Sequence, residues 1–248
     1  MKILVCLSKT PDTTSKISFT EDSKKFQTGG IQHIINPFDE WYSLVRAIEL
    51  KEKDPSIEIH ILSVGGADYD PIIRKAFALG GDAGFRINID SEDPFFVANQ
   101  IAQFVQSKGM YDILFTGKET IDYNGGMIGA MVATLLKIPS VCNIIKFSVE
   151  GTKAIIDREI ESGSEKVEVE FPVLVSTQKG VAEARIPNMK GIISSRSKTI
   201  EVVEAFPSEI RTETVSFELP PPKSSVKLID PDNVGELVKL LHEEAKVI

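Results

Sequence analysis

The stretch ILFTGKETIDYNGGMIGAMVATLL, residues 113–136, joins three kinds of sequence in succession. It begins with a short apolar run, continues as a polar loop that contains Gly125 and Gly126, and ends in an apolar segment long enough for a helix. This order predicts a buried strand that leads through a loop into a helix. Such a unit is the repeating element of α/β folds with parallel sheets.

The loop in this unit, residues 117–129, has two interpretations. Gly125 and Gly126 allow the backbone to approach a ligand closely, and the N–H groups that open the next helix would face an anion such as a nucleotide phosphate. Alternatively, Asp122 and Asn124 are ordinary capping residues in a plain turn from a strand to a helix. The spacing alone leaves both interpretations open.

The sequence around this unit repeats the alternation of strand and helix. Apolar runs typical of buried strands cover residues 2–8, 57–64, 85–89 and 112–115. A helix is expected to begin at Pro37 with Asn36 as its N-cap, and further helices are expected over residues 70–80, 93–109 and 129–136. Strict alternation predicts an α/β fold with a mostly parallel, doubly wound sheet that helices cover on both faces.

The pattern changes after Pro139. Residues 140–149, 153–161 and 166–176 are strand-like, and we expect them to form antiparallel strands added at an edge of the sheet. Residues 206–226 contain several prolines and little periodicity, which predicts an extended arm. A last helix follows from residue 230, with an apolar stripe at Val234, Leu237, Leu240 and Leu241. We therefore predict a nucleotide-binding α/β domain over residues 1–205, and an arm and helix over residues 206–248 that dock on a partner subunit.

Composition excludes several classes of protein. The chain has 248 residues and a net charge of −8, which disfavours nucleic acids and anionic membranes as main partners. No apolar run approaches the roughly 20 residues of a membrane-spanning helix, so direct membrane insertion is not expected. Cys6 and Cys142 stand far apart in apolar runs and are expected to be buried free thiols. These features predict a protein that stays in the reducing cytoplasm.

Motifs of catalysis are missing from the sequence. The histidines, at positions 33, 60 and 242, are scattered, and His60 falls inside a predicted strand, where a structural role is expected. No metal-binding pattern or Ser-His-Asp pattern is present, and residues 125–129 do not have the GxGxxG spacing of dinucleotide-binding folds. The run SVGGAD, residues 63–68, resembles the phosphate loop of ATP pyrophosphatases, but its spacing and its place after the second major strand differ.

The topology of a parallel sheet favours one place for a ligand. Ligands of open α/β sheets bind at the carboxyl ends of strands where the strand order reverses, and the first and fourth strands commonly flank that point. Ser8 and Lys9 follow the first strand, and the loop over residues 117–129 follows the fourth. These segments are expected to meet there as a nucleotide-phosphate cradle.

Several stretches, taken together, resemble the beta subunits of electron transfer flavoproteins over nearly the whole chain. They are PDT at residues 11–13, INPFDE at 35–40, AFALGGDAG at 76–84, GKETID at 117–122, REI at 158–160 and EARIPNMKGIISSRSKTIE at 183–201. The resemblance implies a sheet of the adenine-nucleotide-binding type. It also implies an electron carrier, not an enzyme, that pairs with an alpha subunit carrying FAD. Such pairs move electrons from flavin dehydrogenases of the acyl-CoA type to a membrane quinone reductase.

The resemblance also implies a nucleotide site in this chain. Family beta subunits hold AMP structurally, or a second FAD in electron-bifurcating members. Carried over by position, the cofactor-binding residues are Cys6, Asn36, Val64, Asp122, Gly125, Gly126, Met127, Ile128 and Gly129. Many relatives have Gln and then Thr or Val where this chain has Met127 and Ile128, so side-chain donors to a phosphate are lost there. Backbone N–H groups are then the expected ligands of the phosphate, and we expect AMP.

The same resemblance implies residues that contact partners. Met189 corresponds to an anchoring residue of a recognition loop that enters a hydrophobic pocket of the partner dehydrogenase. The flanking residues indicate a loop, so Met189 is expected to be exposed instead of packing in the core. Glu159 is expected to pair with an arginine of the alpha subunit. Independently of the resemblance, Arg185 belongs to a group of basic residues in an acidic chain that could steer a docking partner or bind the alpha subunit.

Two other classes of protein share parts of this pattern. A nucleotide-binding sensor of the universal-stress type has a similar parallel sheet, and an ATP-using enzyme could place ATP at the same cleft. The C-terminal arm and helix favour the electron-carrier subunit, because a sensor that acts alone has no use for them.

Overall fold

The computed structural model describes residues 1–223 and 225–248, and within them a large mixed sheet dominates. Its strands and those of a small hairpin are β1 (Lys2–Cys6), β2 (Lys9–Pro11), β3 (His33–Ile35), β4 (Glu58–Val64), β5 (Ala83–Ile87), β6 (Ile113–Gly117), β7 (Ser140–Glu150), β8 (Lys153–Ile160), β9 (Gly163–Glu170), β10 (Val173–Thr177) and β11 (Ile200–Val203). The helices are α1 (Glu40–Lys53), α2 (Asp70–Leu79), α3 (Pro94–Lys108), α4 (Ile128–Leu136), α5 (Met189–Ser197) and α6 (Val234–Glu243).

Within the described residues, the large sheet has nine strands in the order β11-β5-β4-β1-β6-β10-β7-β8-β9. All pairs from β11 to β7 are parallel, and β8 and β9 continue the sheet as antiparallel strands. The predicted α/β class, the mostly parallel sheet and its antiparallel edge are therefore confirmed. The strand order reverses between β1 and β6, as the sequence predicted for the first and fourth major strands.

The prediction of a single antiparallel strand over residues 166–176 is wrong. That segment is divided at Pro172 into β9, which pairs with β8, and β10, which lies inside the sheet between β6 and β7 and is parallel to both. Pro172 has no N–H group and cannot continue a ladder of hydrogen bonds, so the strand ends there. Burial changes at the same place, because β9 has only exposed and half-buried residues whereas every residue of β10 is buried.

The first predicted helix begins later than expected. Asn36 does not cap it; Asp39 immediately precedes the helix, which starts at Glu40. The side-chain amide of Asn36 instead donates to the carbonyl oxygen of Glu119, at 2.6 Å. That amide therefore binds a distant loop and does not cap the helix. Residues 36–39 form a turn before the helix, and the N–H of Trp41, inside the helix, donates to the carbonyl oxygen of Asn36.

Two hydrophobic layers cover the sheet, one on each face. Alternate residues of the central strands point to opposite sides, so Ile3 and Val5 belong to one layer while Leu4 belongs to the other. The first layer includes buried residues of α1 and α2, and the second includes those of α3 and α4. Parallel strands buried on both faces explain the continuous apolar runs in the sequence.

The C-terminal segment forms an extended arm and a helix, as the sequence predicted. Among its described residues, no helix or strand lies between β11 and α6. The first part of the arm lies on the chain itself, since the backbone N–H of Phe206 donates to Gln100 and the ring of Phe217 stacks on that of Phe19. Helix α6 has no buried residue, and apolar side chains such as Val234 and Val238 are exposed.

Two expectations about individual side chains can be checked directly. His60 is a structural residue, as expected: it is buried, with Nδ1 2.9 Å from the hydroxyl of Tyr111 and Nε2 2.8 Å from the carboxylate of Glu58. Cys6 and Cys142 are free thiols, but only Cys6 is buried and Cys142 is half-buried. No helix in residues 1–223 or 225–248 is long and apolar enough to cross a lipid bilayer.

Candidate functional site

A cleft of about 460 Å³ opens at the carboxyl ends of β1 and β6, where the strand order reverses. Ser8 and Lys9 form one side, and the loop after β6 forms another. The predicted meeting of these segments is therefore confirmed. Most of the predicted cofactor-binding residues line this cleft, namely Cys6, Val64, Asp122, Gly125, Gly126, Met127 and Ile128.

The remaining two predicted residues, Asn36 and Gly129, support the wall of the cleft from behind. Asn36 is fully buried and holds the loop after β6 through its bond to the carbonyl of Glu119. Gly129 lies in the first turn of α4, where a Cβ atom would stand 2.7 Å from Oγ1 of Thr116. A residue with a side chain would push α4 away from the sheet, so Gly129 sets how closely the helix approaches β6.

The loop that leads into α4 presents backbone N–H groups without acceptors. Asn124 and Gly126 have positive φ angles of 50° and 60°. In the described part of the chain, none of the N–H groups of residues 125–130 donates a hydrogen bond, and no side chain caps α4. Free N–H groups at the start of a helix, together with the helix dipole, favour an anion. Residues 125–130 are called the cradle below.

One wall of the cleft is apolar and suits a flat ring. Cys6, Leu62 and Val64 come from β1 and β4, and Val97 and Ile101 come from the face of α3 that turns toward them. Ligand sites of about 300–1,000 Å³ typically combine such apolar walls with a few polar groups that fix orientation. The cleft therefore offers an apolar surface for a base and a separate polar cradle for an anion.

Acidic side chains are frequent around the cleft, and the nearby lysines are engaged. The carboxylates that line it are Glu40, Asp90, Glu92, Glu119 and Asp122. Lys9 forms an ion pair with Asp68, and Nζ of Lys118 lies 3.7 Å from the carboxylate of Glu119. The cradle thus depends on backbone N–H groups for its attraction to an anion.

Glu40 is a residue of the cleft that the sequence analysis did not single out. Its side chain is buried, and its two oxygens accept from the N–H and the hydroxyl of Ser8. The pKa of Glu40 is raised to about 8, mainly by burial and also by the charges of Asp39 and Asp122, while the bonds from Ser8 act to lower it. A signal was present in the sequence, because Glu40 stands four residues before Leu44 and so falls on the inward face of α1.

The predicted recognition segment contains an exposed apolar patch. Met189 is 71% exposed, and Ile186 and Ile193 are 92% and 62% exposed. The exposure of Met189 is confirmed, but the segment is not entirely a loop: Met189 begins α5, which Asn188 caps by accepting from the N–H of Gly191. The interpretation of Met189 as a core residue is excluded.

Helix α5 is held firmly against α2. A Cβ atom at Gly191 would lie 2.1 Å from the carbonyl oxygen of Ala78, so only glycine permits this contact between the helices. Arg74 donates to the carbonyl oxygens of Ser195 and Lys198, at 3.1 and 3.3 Å. The exposed side chains of Met189 and Ile193 are therefore presented by a fixed helix.

The charged residues expected to contact partners already have partners within the chain. Arg185 donates to the carboxylate of Glu52 at 2.6 Å and lies 3.7 Å from that of Glu49. Glu159, on β8, is exposed and accepts from the side-chain amide of Gln178. Glu159 lies on β8, whereas Arg185 lies in the loop that leads into α5 and Met189 begins that helix.

Comparisons with known proteins agree on one family. The model of the electron transfer flavoprotein domain matches residues 24–208. The electron transfer flavoprotein subunit beta of Bacillus subtilis (strain 168) is 33% identical over 262 residues, which cover 100% of both chains. The subunit beta of Mus musculus is 31% identical over 257 residues, which cover 100% of this chain and 99% of the mouse protein. That of Homo sapiens is 28% identical over 259 residues, with the same coverage.

Proposed function

The chain belongs to the electron transfer flavoprotein family and is similar to its beta subunits, and on this premise we propose that it forms a heterodimer with an FAD-carrying alpha subunit. The pair would act as an electron carrier between other flavoproteins and would not turn over a substrate of its own. In the alpha subunit, FAD supplies the redox chemistry. The contribution of this chain is to hold a nucleotide, to seat the alpha subunit and to present a docking surface.

The observation that carries this proposal is the unpartnered face of α6. Val234, Leu237 and Val238 are 61%, 43% and 51% exposed and lie on one side of the helix. An amphipathic helix obtains most of its stability from packing that face. The arm places α6 apart from the sheet of its own chain. We therefore propose that the apolar face of α6 packs on the alpha subunit.

We propose AMP as the ligand of the cleft. The free N–H groups of the cradle fit a phosphate, and the apolar wall near Val64 and Val97 fits an adenine ring. A volume of about 460 Å³ lies in the lower part of the range for small-molecule sites, which favours a mononucleotide over FAD. AMP would have a structural role, because it joins β1, β4, α3 and α4 at a single point.

We further propose that dehydrogenases of the acyl-CoA type deliver electrons to the pair, and that a membrane quinone reductase receives them. The support for a docking partner is the exposed patch of Ile186, in the loop before α5, and of Met189 and Ile193 on that fixed helix. Large apolar side chains that enter a pocket carry much of the binding energy of an interface. Methionine suits pockets of varied shape because its side chain is flexible and polarizable.

The assembly part of the proposal is tested by co-purification with a candidate alpha subunit. Leu237→Asp places a charge on the apolar face of α6, whereas Lys239→Asp changes the opposite, polar face as a matched control. We expect the wild type and Lys239→Asp to co-purify with the alpha subunit as a pair. Leu237→Asp should weaken that association. Equal co-purification of both variants would show that α6 does not pack on the partner.

A further inference from the structure

Glu40 and Ser8 form an isolated polar pair inside the cleft. The hydroxyl of Ser8 donates to Oε1 of Glu40 at 2.7 Å, and the backbone N–H of Ser8 donates to Oε2 at 2.5 Å. Among residues 1–223 and 225–248, the carboxyl of Glu40 has no other hydrogen-bond partner. Both residues line the cleft, but Ser8 is half-buried while Glu40 is buried behind it. A ligand would therefore meet Ser8 first.

We propose that Glu40 carries a proton when the nucleotide binds, and that this proton makes the hydroxyl of Ser8 a hydrogen-bond donor to the ligand. This inference rests on the proposed function, which places AMP in the cleft. Glu40 is then a positioning residue that acts through Ser8. The proton is exchanged with water, and no other bond forms or breaks.

Whether the hydroxyl of Ser8 can donate to a ligand depends on the protonation state of Glu40. A neutral Glu40 donates its O–H to Oγ of Ser8, so the serine proton is free to point into the cleft toward an acceptor of the nucleotide. An ionised Glu40 accepts the serine proton, and Ser8 then presents only lone pairs to the cleft. Acceptor atoms predominate on a phosphate and on the ring edge of a base, so the neutral state of Glu40 favours binding.

The surroundings of Glu40 favour this neutral state near pH 7. Burial in the cleft wall, together with the charges of Asp39 on its own turn and of Asp122 on the loop after β6, raises its pKa to about 8. The hydrogen bonds from Ser8 act in the opposite direction but do not cancel it. An ionised Glu40 would also repel an anionic ligand, so both effects weaken binding at high pH.

Apart from the charged Asp39 and Asp122, two neutral groups and one lysine lie around Glu40, and none of them changes its charge between about pH 7 and about pH 9. Burial raises the pKa of the Cys6 thiol on β1 and of the Tyr69 hydroxyl in the turn before α2, both above their ordinary values. Lys9 is engaged with Asp68. The second pKa of a phosphate group is about 6, so the charge of AMP hardly changes above pH 7.

The test measures the dissociation constant of AMP for the full-length chain by calorimetry, after bound nucleotide has been removed. For the wild type we expect affinity to fall about tenfold between about pH 7 and about pH 9, because the higher value is about one unit above the pKa of Glu40. Binding near pH 8.5 should take up a proton, visible as a dependence of the heat on the ionisation enthalpy of the buffer.

Variants separate the role of the proton from that of the side chain. In Glu40→Gln the amide N–H₂ donates to Oγ of Ser8 at every pH, so we expect affinity close to that of the wild type at pH 7, with no loss at pH 9. Ser8→Ala should bind more weakly at pH 7 and show little dependence on pH. Glu204→Gln removes an exposed carboxylate outside the cleft and should keep the wild-type profile.

The possible results are distinct. Binding by the wild type that is equally tight at both pH values, without proton uptake, overturns the role of Glu40 but leaves the nucleotide site standing. If Glu40→Gln also loses tenfold in affinity for AMP between pH 7 and pH 9, the role of Glu40 is likewise overturned while the nucleotide site stands. If neither AMP nor FAD binds at any pH, the proposed nucleotide site is wrong and this inference fails with it. The measurement of proton uptake on the wild type decides the question even if a variant does not fold.

Discussion

Thr212 donates its backbone N–H to Oδ2 of Asp93 at 2.7 Å and thereby ties the C-terminal arm to the start of α3. The other oxygen of the same carboxylate caps α3, because Oδ1 accepts from the N–H groups of Phe95 and Phe96. The neighbours Glu92 and Pro94 line the cleft at the carboxyl ends of β1 and β6. One buried carboxylate thus joins the arm, a helix cap and a wall of that cleft.

Substitutions at Asp93 should separate these contacts. Asp93→Asn keeps an oxygen for the cap but offers an amide donor in place of the oxygen that accepts from Thr212. We therefore expect faster amide exchange at residues 211–212 with little change in stability. Asp93→Ala should lose the cap as well, at a cost of about 1–2 kcal/mol in the free energy of unfolding. Hydrogen exchange and urea denaturation measure the two effects, and identical behaviour of both variants would refute the division of roles.

Gly126→Val should displace the nucleotide. Gly126 has a φ of +60°, a conformation that a β-branched residue rarely adopts, and its N–H belongs to the cradle. Gly151→Val is a matched control, because Gly151 also has a φ of +60° and a Cβ atom there would have no neighbouring atom within 4 Å. We expect both variants to lose stability, but only Gly126→Val to lose AMP, measured by mass spectrometry of the denatured complex. Loss of AMP from both would mean that general destabilisation is the cause.

Met189→Ala should weaken docking to the dehydrogenase and spare the flavin. Truncating an apolar anchor in a desolvated pocket typically costs about 2 kcal/mol, or roughly thirtyfold in affinity. Met110→Ala is a suitable control, because Met110 is also exposed but lies after α3, outside the recognition segment. Dehydrogenase binding by surface plasmon resonance and flavin absorbance check the prediction. Unchanged binding of Met189→Ala would remove Met189 from the interface.

Glu159→Ala should have a different effect from Met189→Ala. If Glu159 makes a charge contact with the alpha subunit, its removal shifts the population of domain orientations and so alters the rate of electron transfer. Dehydrogenase affinity and flavin content should stay near those of the wild type. Flavin reduction followed by stopped flow at several concentrations of the pair distinguishes a change of rate from a change of affinity. A variant with a wild-type rate constant would contradict the assignment.

The stability of the nucleotide-free chain should fall as pH rises from about 4.5 to about 8. The pKa of Glu40 is raised from its ordinary value of 4.5 to about 8, so over this range the folded chain keeps a proton that the unfolded chain releases. The free energy of unfolding therefore decreases with pH, by an amount on the order of a few kcal/mol, and levels off above pH 8. Urea denaturation of Glu40→Gln should show a smaller decrease. Parallel curves for wild type and variant would mean that Glu40 titrates normally.

Local sequence patterns predicted many of the strands and helices, because each of these elements depends mainly on the residues of its own segment. The strands β1, β4, β5 and β6 could be predicted from the apolar composition of their own segments. The position of the cleft could be predicted from the general rule that ligands bind where the strand order reverses. The insertion of β10 between β6 and β7 depends on pairing between segments distant in sequence, which periodicity does not record. The late start of α1 has the same kind of cause, since Asn36 is held by Glu119, 83 residues away.

The candidate site was predicted in part for similar reasons. Cys6, Val64 and the cradle could be placed because the resemblance and the topology point to the same loop. The pairing of Ser8 with Glu40 joins the end of a strand to the first turn of a helix 32 residues later, and only the folded chain shows it. The engagement of Arg185 by Glu52 is equally non-local, so a basic residue that looked free in the sequence has a partner.

We propose that this chain and an FAD-carrying alpha subunit form one electron-carrying pair with AMP in this chain's cleft. Co-expression of the two chains, followed by quantification of the nucleotides released from the purified complex, tests it most directly. We predict a yellow heterodimer that releases one FAD and one AMP per pair. Two FAD per pair would contradict the assignment of AMP, and a colourless chain that purifies alone and hydrolyses ATP would contradict the electron-carrier function itself.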